Sequence, residues 1–149
     1  MRKLVLIILA GLFVAGPIRA ERTGEEEQRV RFAPLNVYID SGTEQLAAYQ
    51  FELKTVAGQV KIVGVEGGEH AAFSEPPYYD PAALMQDRVI IGAFDTGDDL
   101  PTGKTRVATI HLQIIGDIEP EYELELTVAG SYDGQQIPAV VTFEKGEQK

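Results

Sequence analysis

The chain has no cysteine, no tryptophan, two methionines and two histidines in 149 residues. Without cysteine there is no disulfide framework, no thiolate nucleophile and no cysteine-based zinc site. Without tryptophan, the flat indole platform of a cellulose binder is missing. His70 and His111 are far apart, and no His-x-x-x-His pair exists to hold a metal. No Gly-x-Ser-x-Gly elbow, internal repeat or long helix-period stretch occurs. Cations are scarce as well: 13 Lys and Arg stand against 23 Asp and Glu. That balance argues against nucleic acid and anionic membrane surfaces as partners, and suits cationic partners or calcium.

The N-terminus has a sorting signal. Arg2 and Lys3 precede the apolar run Leu4 to Gly16, and Ile18-Arg19-Ala20 offers a small residue for cleavage. As a helix, that run reaches only about 20 Å against a hydrocarbon core of about 30 Å. Residues 1–20 are therefore expected to be a cleaved signal peptide of a bacterial kind. The mature chain would begin near Glu21, be secreted or periplasmic, and not insert in the membrane. Losing Arg2, Lys3 and Arg19 leaves 10 basic residues against 23 acidic ones, a net charge of −13. Residues 21–33, with Glu25-Glu26-Glu27, read as a flexible acidic lead-in.

Short alternating strands at regular spacing follow. The first is Leu35 to Asp40, after Pro34, and Ser41-Gly42-Thr43 turns the chain. Tyr49, Phe51 and Leu53 share one face of the next, with Gln50, Glu52 and Lys54 on the other. Ala57-Gly58 is a turn. Val60, Ile62, Val63 and Val65 suggest a strand buried on much of both sides, ended by Gly67-Gly68. Residues 69–86 are irregular, with one helical turn capped by Asp80 and opened by Pro81. Val89 to Phe94 is a strand, and 95–103 form a long acidic loop. Val107 to Ile115 puts Ala108, Ile110, Leu112 and Ile114 inward, while Tyr122, Leu124, Leu126 and Val128 point inward from the next. Asp133-Gly134 signals a hairpin, and Ile137 to Phe143 is the last strand. One domain is expected over 34–145, an all-β two-sheet jelly-roll or Greek-key sandwich, with 146–149 as a tail.

These residues resemble cohesin domains, within the cellulose-binding-like sandwiches. Phe51 to Gly68 is similar to the cohesin strand–turn–strand that ends in glycine, and Asp87-Arg88-Val89-Ile90-Ile91 to its aspartate–arginine strand opening. Val107-Ala108-Thr109-Ile110 resembles the strand that resumes after the acidic loop. Ser131-Tyr132-Asp133-Gly134 with Val140 to Phe143 resembles the terminal hairpin. The similarity runs roughly from Leu35 to Glu144. It implies a flattened sandwich of about nine strands and protein–protein association through a sheet face. The chain departs from the pattern at Ala48 and Gln50, where many cohesins have polar residues just before the Phe51 position. It departs again at Val56-Ala57, which replaces an aspartate–proline turn.

Candidate sites are few. Thr102-Gly103-Lys104-Thr105 imitates a phosphate loop, but Asp98 occupies the first glycine position and a strand follows. An EF-hand register from Asp95 fails at Leu100 and Arg106. Calcium on Asp95, Asp98 and Asp99 in another geometry is one expectation, and a solvated loop is the simpler one. No other cofactor and no other metal site is expected. Tyr78 and Tyr79 offer a stacking platform, with packing of one ring over the sandwich edge as the alternative. No pair of carboxylates stands out as catalytic. The reading is an exported, non-catalytic module that binds an exported or envelope protein. A carbohydrate-binding module for polysaccharide and a hydrolase or hydrolase accessory domain are the alternatives.

Overall fold

The apolar–polar alternation is realised as eight strands in a computed structural model that describes residues 28–147. The expected signal peptide at 1–20 and most of the lead-in lie outside the described residues. The strands are β1 (Val30–Asp40), β2 (Ala48–Ala57), β3 (Gln59–Gly67), β4 (Tyr78–Tyr79), β5 (Arg88–Phe94), β6 (Lys104–Ile115), β7 (Glu121–Gly130) and β8 (Val140–Lys145). They form two antiparallel four-stranded sheets, in the orders β3-β6-β1-β8 and β4-β5-β2-β7. The all-β sandwich therefore stands, with eight strands instead of about nine.

One core fills the space between the sheets. Leu35, Val37 and Ile39 of β1 and Ile110, Leu112 and Ile114 of β6 face Tyr49, Phe51 and Leu53 of β2 and Val89 and Ile91 of β5, and all are buried. Burying each such side chain contributes about 1.5–3 kcal/mol against the entropy of ordering it. Alternate residues point to solvent, as the two-residue period requires.

Several strand limits differ from those expected. Residues 30–33, expected as lead-in, already pair with β6, from Val30↔Ile115 to Ala33↔Leu112. Pro34 does not open the strand but lies within it, opposite His111. This is tolerated because pairing with β8 ends at Leu35↔Lys145, so Pro34 needs no donor on that side; its carbonyl accepts from Gly146 N–H at 2.9 Å. The last strand starts at Val140, not Ile137. Ile137 is buried and donates its N–H to Ala129 O at 2.9 Å.

Four bulges reset the faces. A bulge places one extra residue against its neighbour, so the side chains beyond it swap sides. Val63 is the extra residue between Ile62↔Leu112 and Gly64↔His111. It points outward, so β3 is buried on one face and not on much of both. Thr127 is extra between Gln50↔Val128 and Phe51↔Leu126. Val128, expected inward, is therefore exposed and Ala129 takes the inward place. Val107 is extra between Val37↔Ala108 and Tyr38↔Arg106, so Val107 and Ala108 are both buried. Val56 is extra in β2 and is exposed.

The chain closes one edge itself. Met85 N–H donates to Ile62 O at 2.7 Å, and Ile62 N–H donates to Gln86 O at 2.8 Å. The 80–87 segment thereby covers β3 at its bulge. Gly67-Gly68 sits beneath backbone: a Cβ on Gly67 would lie 2.2 Å from Ser74 O, and one on Gly68 2.1 Å from Arg106 O.

Candidate functional site

The outer face of the β4-β5-β2-β7 sheet has the largest cavity found along the surface, a groove of about 960 Å³. Its walls follow from strand alternation. With Val89 and Ile91 buried, Arg88, Ile90, Gly92 and Phe94 turn outward from β5. Ala48, Gln50, Glu52 and Lys54 do the same from β2. The bulge at Thr127 adds Val128 from β7. Tyr78, Gly92, Gln50 and Val128 then lie in one line across the four strands.

The tyrosine pair is divided between core and solvent. Pro77 is buried and anchors the segment. Tyr79 opposes Ile91 and packs against the core; Tyr78 opposes Gly92 and is 72% exposed. The packing alternative thus holds for Tyr79. Tyr78 is stacked on Phe94, centroids 6.2 Å apart and planes 13° from parallel. Phe94 is 64% exposed, Ile90 46% and Val128 43%.

Charges surround this apolar strip. Arg88 Nε and Nη2 donate to Glu52 Oε1 and Oε2, both at 2.8 Å. The hydrogen bond from Arg88, with its charge, holds the Glu52 carboxyl below its ordinary range. Glu125 opposes Glu52 across the strands, and Glu123 opposes Lys54. Among the described residues no cation is bridged to Glu123 or Glu125. Asp80 and Asp87 line the far end of the groove.

The acidic loop does not converge on one point. Asp95 Oδ1 accepts from Gly97 N–H at 2.6 Å, and Asp99 lies 3.7 Å from His70 Nε2. Asp98 is exposed. Among the described residues no group of three or more His, Asp or Glu is placed to hold a metal ion. His70 Nδ1 accepts from Ala72 N–H at 3.2 Å and caps a 3-10 turn. His111 stands on the outer face of the other sheet, 3.3 Å from Glu66. The structure brings together Tyr78 with Phe94, Ile90, Gly92 and Val128, and leaves Asp95, Asp98 and Asp99 apart from them.

Sequence reasoning missed Phe94, Ile90 and Gly92. The signal was present, because alternation from buried Val89 and Ile91 puts all three outward. Val128 had no such signal, since its face depends on the bulge at Thr127. Carboxylates with displaced titration, Glu52, Asp133 and Glu144, all shift downward through hydrogen bonds from Arg88, Ser131 and Lys104 respectively. A general acid needs the opposite shift. No protein-family model, curated protein or solved structure matches the chain.

Proposed function

We propose that the chain is an exported, non-catalytic association module that docks a protein on the outer face of the β4-β5-β2-β7 sheet. The observation that supports this is the strip of Tyr78, Phe94, Ile90 and Val128, apolar and solvent-facing on a rigid sheet. Aromatic anchors in such a strip supply most of an interface's energy, with a polar rim excluding water. The order of residues that resembles cohesin domains, and the signal-like N-terminus, support the same reading. Capture of one protein by the wild-type chain and not by a Tyr78→Ser/Phe94→Ser variant would test it.

One observation favours a second reading. The Tyr78–Phe94 stack supports carbohydrate recognition, in which rings contact sugar faces. Stacked, each ring turns one face to the other, leaving less open surface than a coplanar row. Retarded migration of the wild-type chain in polysaccharide-containing gels, abolished by Tyr78→Ser, would favour it.

A further inference from the structure

Gly92 is where the strip is deepest. It opposes Tyr78 on one side and Gln50 on the other, with Ile90 and Phe94 two residues away along β5. Having no side chain, it leaves backbone as the floor of a pit with Tyr78, Gln50, Ile90 and Phe94 around it. A Cβ there would lie 3.2 Å from Tyr49 O, so the floor is already close to its neighbours. The pit has room for one inserted side chain, and its aromatic and aliphatic walls favour an apolar one.

The rim has a sign. Asp80, Asp87, Glu52, Glu123 and Glu125 stand around the strip, against Arg88 and Lys54. Arg88 is already committed to Glu52. Glu125 directly opposes Glu52, an arrangement of like charges that costs stability unless a cation lies between them. An apolar floor with an unbalanced acidic rim selects a partner of complementary charge.

We infer that the occupant of this face is a basic polypeptide segment, with an aliphatic or aromatic side chain set over Gly92 and lysines or arginines facing Glu123, Glu125 and Glu52. This rests on the association reading above and specifies its partner. Cation contacts at an exposed rim govern approach and salt dependence, and the apolar anchor governs residence.

The probes are three synthetic alternating peptides of equal length, Leu–Lys, Leu–Gln and Leu–Glu, titrated into the isotopically labelled full chain. Amide shifts locate binding and anisotropy measures affinity. The Leu–Lys peptide is expected to perturb the amides of Gly92, Tyr78 and Phe94. It should weaken roughly fivefold or more on raising salt from about 50 to 300 mM. Glu123→Lys/Glu125→Lys should weaken it by a similar factor without disturbing the fold, because both residues are exposed. Binding of Leu–Gln or Leu–Glu at the same amides with equal affinity would overturn the basic partner while leaving the docking face. Leu–Lys binding that is not centred on Gly92, or that ignores the charge reversal, would overturn the site. No perturbation by any of the three would overturn both this inference and the docking face.

Discussion

The hydroxyl of Tyr49 donates to the main-chain carbonyl of Val107 at 3.1 Å, across the sandwich from β2 to β6. Val107 is the extra residue of the β1–β6 bulge and has no partner in that register. The bond therefore joins the two sheets at a bulged position, inside the core. Phe73 meets the same ring edge-on at 5.1 Å and Phe51 stacks on it at 5.9 Å. Behind Gly92 and Phe94, this cluster makes the β5–β2 part of the docking face rigid.

Tyr49→Phe removes the donor and leaves a buried acceptor unpaired. The expected loss is about 1–3 kcal/mol. Urea unfolding should show a lower midpoint with an unchanged slope, since the surface exposed on unfolding is the same. An unchanged midpoint would mean that Val107 O finds another donor.

Alkaline pH should act through the tyrosines. Burial, with a smaller contribution from Glu119, pushes Tyr122 up to about 12, and burial also drives Tyr49 above its ordinary value. A folded state that holds a phenol proton more tightly than the unfolded chain keeps that contribution whole below about pH 10. The contribution is lost as pH rises from there through the folded values. Absorbance titration should therefore show two of the six tyrosines ionising late, together with unfolding. Six tyrosines titrating as one group near the ordinary value, with the fold intact, would contradict this.

Arg88→Gln should release the Glu52 carboxyl toward its ordinary range, because the Arg88 hydrogen bond is the largest cause of its depression. A carboxyl lowered in the folded state adds stability above the unfolded carboxylate range and loses it as pH falls through the folded value. Carbon-detected titration of Glu52 in the two proteins checks the direction. The effect on stability is expected to be small, since the pair is solvent-accessible.

Gly68→Ala should be among the most damaging single changes. Its Cβ would lie 2.1 Å from Arg106 O and 2.8 Å from Val107 Cα, both backbone atoms that cannot turn aside. A loss of about 2–4 kcal/mol is expected in thermal or urea unfolding. Gly134→Asn is the control: its φ of +78° suits asparagine, and nothing lies within 4 Å of an added Cβ. It should leave stability nearly unchanged.

How much of this was legible depended on whether local alternation survived the bulges. Tyr49, Phe51 and Leu53 could be assigned to the core because no extra residue interrupts them. Asp80 could be placed as a cap because its partner, Ala82 N–H, is two residues away and local. Val63 and Val128 were turned to the wrong side because one bulge residue flips everything beyond it, and a bulge is set by the partner strand. Residues 30–33 were given to the lead-in because Pro34 normally opens or interrupts a strand. Only the staggered ends of β6 and β8 make room for it. On the candidate face, Tyr78 was visible as a loop aromatic. Its stacking on Phe94 required knowing that β4 pairs with β5.

The most direct test of the docking face is a paired capture. The full chain with a C-terminal tag, and its Tyr78→Ser/Phe94→Ser variant, would be exposed to the producing cell's envelope and culture fluid, with mass spectrometry as readout. Both side chains are exposed, so the two proteins should unfold at the same urea concentration. The account predicts one protein enriched by the wild-type chain and absent with the variant. Enrichment of no protein, or equal enrichment by both, would contradict it.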